Sequence, residues 1–324
     1  MRLAIQKLKG PDENHSNGVT LTVPLPLHAR EVAVKIGGRH CRIKSDDNYL
    51  DHIRGSFEPH MVKLFRSVAG SSEVILDIGA NIGCTAILFG DMARQVHAFE
   101  PSPSTYGYLL QNLQANGTGN VVTHNFGLGV EAATTTITFA PNNRSGGFVS
   151  DLTQADANHV SEQIDIRTVD EVVPGLSLAA LDFIKIDVEG FEGHVLRGAR
   201  ATLERFRPVV VLELNHWCLN AFQRISVPDF FDQLRAIFPI LLAVDDGCYL
   251  DLHSADESYA VMYHHIMAMR YPNLLCAYDE TQVARFRSAY RHQPAKPAKL
   301  AGQAGALPVR AVRRAVNAAR RMFR

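Results

Sequence analysis

The sequence predicts an α/β chain built on a doubly wound, mostly parallel sheet with helices on both faces. Three observations carry that prediction. Short apolar, β-branched runs alternate with longer amphipathic runs from residue 73 onward, the pattern of strand–helix–strand units. The first unit turns from strand to helix through Asp77-Ile-Gly-Ala-Asn-Ile-Gly83, where glycine lets a ligand approach the backbone at the carboxyl ends of the strands. Carboxylates also recur where strands end, at Asp77, Glu100, Asp187 and Glu213.

In chain order, residues 31–44 alternate apolar and polar around Gly37-Gly38, as a hairpin with a tight turn does. Residues 1–57 are therefore expected to be a lead-in, residues 58–290 the main domain and residues 291–324 a basic extension. A helix near Glu58–Ala69 opens the main domain. Glu73–Ile78, Gln95–Phe99 and Val121–Asn125 read as strands, separated by helices over Ile82–Arg94 and Ser104–Ala115. From 129 to 180 the rhythm breaks, with Thr134–Phe139 and Ile164–Val169 β-prone around a loop-like Pro141–Ser150. This region reads as an insertion near the mouth of a site. The rhythm returns with strand Leu181–Ile186, a helix from Glu192 to about Phe206 and strand Pro208–Leu214; Pro228–Ile237 then reads as a helix, with Ile240–Val244 and Tyr259–Met267 as strands.

Composition excludes several classes. Of 324 residues, 46% are hydrophobic and 20% charged, which is ordinary for a folded domain and unlike a disordered chain. The cysteines at 41, 84, 218, 248 and 276 form no Cys-x-x-Cys pair, so neither a zinc knuckle nor a disulfide framework is indicated, and a reducing compartment fits. Met1–Gly18 lacks the apolar core of a signal peptide, and no stretch reaches the length of a membrane span, so a cytoplasmic location is expected.

The formal net charge of zero hides an asymmetry, because no acidic residue follows Glu280 while 11 basic residues do. Pro294–Pro308 is linker-like. Beyond it Arg310, Arg313, Arg314, Arg320, Arg321 and Arg324 share a helical repeat with Val309, Val312, Val316, Ala319 and Phe323. A basic amphipathic helix over 308–324 is expected to meet an anionic membrane surface or an acidic protein body, at the inner membrane surface in the first case. A solvated extension is the plain alternative. Nucleic acid ranks last, since no stacking aromatics are interleaved.

Three motifs carry chemistry. The loop Asp77–Gly83 has Gly79 and Gly83 but lacks the Gly-x-Gly-x-x-Gly that seats a pyrophosphate. Its carboxylate suits an amino group, such as the methionyl end of S-adenosylmethionine (SAM), and would repel a pyrophosphate. Glu100, closing Val96-His-Ala-Phe-Glu, lies about 20 residues past the first glycine, where a carboxylate takes ribose hydroxyls. Asn125 ends the next strand, either near the adenine or as a turn former. The most specific motif is Ile184-Lys-Ile-Asp-Val-Glu-Gly-Phe-Glu192, with Asp187, Glu189 and Glu192 crowded around Gly190. Such crowding raises the cost of ionising all three unless a cation or a proton joins them. Lys185, inside the strand, reads as a partner for a neighbouring acid.

These residues resemble the FkbM-type methyltransferases. The shared features are Asp77–Gly83, Phe99-Glu-Pro101, the Asp187-Val-Glu-Gly190 block followed by Glu192, Leu196-x-Gly198, and Arg207-Pro208 leading to Glu213, in order over residues 74–215. The resemblance implies a class I methyltransferase fold, SAM as donor bound by Asp77, Gly79, Asn81, Gly83, Glu100 and Asn125, and O-methylation of a sugar, glycolipid or secondary-metabolite hydroxyl. A segment similar to the family's Asn-x-x-Gly-Gly occurs at Asn143–Gly147, but Phe148-Val149-Ser150 follow where small hydroxyl residues often come sooner. Asp187 is the first candidate to position or deprotonate the acceptor, with Glu189 and Glu192 as alternatives and His216 more remote. Asp187, Glu213 and Asn215 are candidate oxygen ligands for Mg²⁺. An NAD-linked oxidoreductase and a catalytically silent binding module are the rival readings; the missing dinucleotide loop opposes the first, and the intact motif carboxylates oppose the second.

Overall fold

The computed structural model describes residues 29–150, 152 and 158–294. Its centre is a nine-stranded sheet. From one edge the strands are Arg291–His292, Cys248–Asp251, Ile240–Asp245, Asn273–Ala277, Val209–Glu213, Phe183–Ile186, Ser72–Ile78, Ala93–Phe99 and Val121–His124. The five from Val209–Glu213 to Val121–His124 are mutually parallel, while Asn273–Ala277 runs antiparallel to both of its neighbours.

Period-two alternation sends successive strand residues to opposite faces. Val74, Leu76 and Ile78 join Ile184, Val210 and Leu212 in one buried core, while Ile75, Phe183, Val209 and Val211 enter the other. In the second core the rings of Phe65, Phe89 and Phe183 meet edge to face at 5.0–5.9 Å. The hairpin Arg30–Ile36 and Arg39–Ser45 turns at Gly37-Gly38 as expected, and its Val34, Ile36, Cys41 and Ile43 share this core with the helix Cys84–Gly90. Asn112 pins it further, accepting from the Lys44 N–H at 2.8 Å and donating to the Lys44 carbonyl at 3.0 Å. A four-stranded sheet of Gly127–Leu128, Val160–Arg167, Ala133–Ala140 and Asn143–Phe148 forms the insertion.

Several expected elements differ. Asn143–Phe148 is a strand where a loop was expected, because it folds back on Ala133–Ala140. The helix expected over Ile82–Arg94 spans Cys84–Gly90, since the next strand begins at Ala93. The helix expected from Glu192 is two, Glu192–Arg197 and Arg200–Phe206. They part at Gly198, where a Cβ would lie 1.9 Å from the Gly129 carbonyl oxygen. Tyr259–Met267 lies inside the helix Ala255–Ala268, capped by Ser254, and buries Glu257, Val261 and His265. That i, i+4, i+8 spacing is helical, so the aromatic alternation was misread as a strand; the strands are Cys248–Asp251 and Asn273–Ala277. The basic segment 308–324 lies outside the described residues. No described helix is long and apolar enough to cross a membrane.

Candidate functional site

The parallel strands meet one cavity at their carboxyl ends, where Ala93–Phe99, Phe183–Ile186 and Val209–Glu213 bring Glu100, Asp187 and Glu213. Gly79, Asn81, Glu100, Asp187, Glu189 and Glu213 line it. Gly79 has φ +80°, and a Cβ there would sit 1.9 Å from the Asp187 carbonyl oxygen. The glycine is thus required where two strand ends meet, and the bare backbone it leaves forms part of the cavity wall. Gly83 begins the helix Cys84–Gly90 in the left-handed region and packs against Leu109; it shapes the turn without lining the cavity.

Glu100 is buried. Its Oε2 accepts the Asn81 N–H at 2.9 Å and its Oε1 the Ser102 N–H at 3.0 Å, so each oxygen keeps lone-pair capacity for one more donor. Burial pushes its carboxyl up to about 7 against those two bonds. Asn125 donates to the carbonyls of Glu100 at 2.9 Å and Pro101 at 3.0 Å. It pins the turn that carries Glu100 and does not line the cavity, which favours the turn-forming alternative.

Behind the cavity stands a pair formed by Asp77, a candidate donor contact in the sequence, and Lys185, which the sequence marks only as a partner for a neighbouring acid. Lys185 and Asp77 are both buried, with Nζ 3.4 Å from Asp77 Oδ1 and 3.4 Å from Asp187 Oδ2. The ammonium also donates to the Gly79 carbonyl at 2.7 Å, and Thr85 donates to Asp77 Oδ2 at 2.7 Å. Burial works against the Lys185 charge, but Asp187 and Asp77 more than offset it and hold the ammonium above its ordinary value. Burial pushes the Asp77 carboxyl up, against Lys185 and Thr85. Asp77 does not line the cavity; it acts on the loop through Lys185 and the Gly79 backbone.

The Asp187–Glu192 block divides by role. Asp187 faces the cavity with its side chain 43% exposed. Oxygens of Asp187, Glu189 and Glu213 lie within 4.8 Å of one another. Glu189, in the left-handed region at φ 53°, accepts from Asn215 Nδ2 at 3.2 Å and Cys218 Sγ at 3.1 Å. Burial and the neighbouring Asp187 push it to about 8. Glu213, whose Oε2 has no hydrogen bond, is driven well up by burial and by Asp187 and Glu189. Glu192 points away from the cavity: its Oε1 accepts the N–H groups of Val188 at 3.1 Å and Gly190 at 3.2 Å, fixing the turn. Asn215 spends Oδ1 on capping Cys218 N and Nδ2 on Glu189, so Glu189 takes the place proposed for Asn215 among oxygen ligands. His216 packs against His265 with ring centroids 5.0 Å apart and lines no part of the cavity.

Further lining residues come from distant segments. Glu58 stands at the start of helix Pro59–Val68 with φ 26°. Arg144, on the insertion, meets Asp46 through Nε at 2.5 Å and Nη2 at 2.7 Å. Ser145 follows it into the cavity wall. The Asn143–Gly147 resemblance was the one sequence signal for these two; Glu58 had none.

The FkbM methyltransferase domain matches residues 77–245, more than half of the chain and all of this site's carboxylates except Glu58. This chain belongs to the FkbM methyltransferase family. The hexuronic acid methyltransferase AglP of Haloferax volcanii is 30% identical over 158 residues, covering 48% of this chain and 61% of that protein. The 31-O-demethyl-FK506 methyltransferase FkbM of Streptomyces tacrolimicus is 29% identical over 168 residues, covering 43% and 64%. The matched segments thus span somewhat under two thirds of these relatives. Among solved structures, an FkbM methyltransferase of Methylobacillus flagellatus aligns with a TM-score of 0.36 and 22% identity, over 52% of this chain and 38% of that one.

Proposed function

We propose that this chain is a SAM-dependent O-methyltransferase acting on a hydroxyl of a sugar, glycolipid or secondary metabolite. The observation that carries the reading is the family match laid over one cavity lined by Glu100, Asp187 and the Gly79–Asn81 segment. The fit to the donor is physical: Glu100 has a free lone-pair direction on each oxygen for the two ribose hydroxyls, and the glycine wall admits a ligand at backbone distance. Bound SAM supplies the methyl group from its sulfonium centre. The chain's own residues align the acceptor, exclude water and take the proton. Glu100 and the Gly79–Asn81 backbone would hold the donor, and Asp187, whose carboxylate reaches the cavity with Lys185 beside it, would take the acceptor's hydroxyl proton. Asp77 and Glu192 are positioning residues in this scheme.

Relatives named for a hexuronic acid and for an O-demethylated metabolite support the acceptor class. Glu58, Asp187, Glu189 and Glu213 line the cavity together with Arg144, a set of oxygen and guanidinium groups suited to hydrogen-bonding a polyhydroxylated acceptor. A second reading places Mg²⁺ among Asp187, Glu189 and Glu213, whose spacing fits oxygen ligands of one ion; activity surviving full chelation would reject it. Contact of the segment 308–324 with an anionic membrane is carried by its sequence alone.

The first test is calorimetry with SAM on the full chain and on Glu100→Ala. Binding lost in the variant is expected, followed by turnover on hydroxylated sugars. Absence of SAM binding by the wild type would leave the silent-module reading, and NAD binding in its place the oxidoreductase reading.

A further inference from the structure

The helix Ala255–Ala268 presents Tyr259, Tyr263 and Ile266 at i, i+4 and i+7, exposed by 45, 49 and 47%, and Met269 at its end is 46% exposed. This single stripe of large apolar side chains lies opposite the buried Glu257, Val261 and His265. The opposite, buried face of the helix meets the helix His216–Gln223, where the His216 N–H reaches His265 Nε2 at 3.4 Å. Contiguous exposed apolar surface of this kind marks an interaction face.

The described chain ends on this same helix. His292 Nε2 lies 3.0 Å from Glu257 Oε2, and Gln293 and Pro294 line a shallow hollow together with Ala260, His264 and Arg270. Residues 295–307 then separate that exit point from the amphipathic segment 308–324. Thirteen residues span up to roughly 45 Å when extended, about twice the ~21 Å length of a fourteen-residue helix. Reach is therefore no obstacle, and the short tether gives the segment a high effective concentration at the face.

We infer that the segment 308–324 docks on its own chain, laying Val309, Val312, Val316, Ala319 and Phe323 against Tyr259, Tyr263 and Ile266. Charge complementarity favours this occupant. Eight of the 11 basic residues after Glu280 lie beyond Pro294, six of them in 308–324, leaving 25 basic against 33 acidic residues in the rest of the chain; Asp256 is exposed in the first turn of the receiving helix.

Trp217 is the chain's one tryptophan, so a Tyr259→Trp/Trp217→Phe background, used for every protein compared, places a single indole on this face. Acrylamide quenching is compared between the full chain and two full-length variants, Val312→Asp/Val316→Asp in the tail and Tyr263→Ser/Ile266→Ser on the face, each with an unchanged far-ultraviolet spectrum. Both variants are expected to raise the quenching constant roughly twofold and to shift the emission to the red, as an indole regaining water does, independently of protein concentration. Equal quenching in all three proteins would overturn the inference. Protection that disappears on tenfold dilution would replace the tail by a second copy of the chain. Protection that appears only with phosphatidylglycerol vesicles, and not with phosphatidylcholine, would replace it by a membrane surface.

Discussion

Replacing Lys185 by Met removes the one ammonium that touches both Asp77 and Asp187. At 3.4 Å and an effective dielectric near 20, each contact has a Coulomb energy of about 5 kcal/mol before the cost of burying the charges. Desolvation cancels much of that in the intact pair, so the pair itself stabilises little. Breaking it is different. Asp187 is 43% exposed and relaxes into solvent, whereas Asp77 has no exposure and keeps only the Thr85 hydroxyl. Lys185→Met is therefore expected to destabilise the fold by roughly 3–5 kcal/mol. Adding Asp77→Asn removes the stranded charge while its amide oxygen still accepts from Thr85, so the double variant recovers about 2 kcal/mol or more of the summed single losses. Urea unfolding of the four proteins at pH 7.5 measures the cycle. The deficit of Lys185→Met shrinks toward pH 5, because Asp77, already pushed up by burial, then takes a proton. Additivity within about 0.5 kcal/mol, or a deficit unchanged by acid, would refute the reasoning.

Three further outcomes follow from the site. Asp187→Asn is expected to lower kcat by about 10²–10⁴-fold while SAM affinity changes little; an unchanged turnover would remove it from proton transfer. Gly79→Ala must place a Cβ 1.9 Å from a backbone carbonyl at φ +80°, so the two strand ends separate, and calorimetry should detect a loss of SAM affinity together with a lowered melting temperature. Glu192→Ala strands the N–H groups of Val188 and Gly190, a loss of about 2–4 kcal/mol, whereas Glu192→Gln keeps an acceptor and should retain most of the stability; equal damage from both would mean that the carboxylate itself is needed.

The parallel strands and the cavity's acids were legible because each rests on a local pattern. An apolar run buried on both faces reads as a core strand, and a carboxylate at its end reads as a site candidate, although Asp77, one of these, pairs with Lys185 behind the cavity. Glu192 and Asn125 show the limit of that logic: both sit in the right motif, yet the first turns back onto the Val188 and Gly190 amides and the second onto the Glu100 and Pro101 carbonyls. Side-chain direction within a turn is set by φ/ψ, here the left-handed residues Glu189 and Gly190, which spacing does not encode. Arg144 and Asp46 form a half-buried ion pair 98 residues apart, and no local pattern announces such a pairing. Tyr259–Met267 failed for a related reason. Its exposed aromatics mimic strand alternation, and only the burial of Glu257, Val261 and His265 reveals the helical period.

The crowded carboxylates also fix a pH dependence whose sign can be worked out. Burial pushes Glu100 and Glu192 up to about 7, and burial with Asp187 pushes Glu189 to about 8. A carboxyl raised on folding holds a proton that the unfolded chain has already released, so its contribution is complete below the unfolded value near 4.3 and is lost as pH rises through the folded value. The buried imidazoles act oppositely. His124 and His265, pushed down to about 4 by burial, lose stability for the fold as pH falls below about 6.5, and contribute no slope above it. Between pH 6.5 and 8 the carboxyls therefore govern, and the ligand-free protein should lose stability with rising pH. Ribose hydroxyls donating to Glu100 favour its ionised form, so SAM binding should release a proton in this window and tighten as pH rises. Calorimetry in buffers of different ionisation enthalpy counts that proton, and Glu100→Gln should abolish it. Stability that climbs from pH 6.5 to 8, or SAM binding without proton release by the wild type, would mean that Glu100 does not meet the donor as a buried, protonated acid.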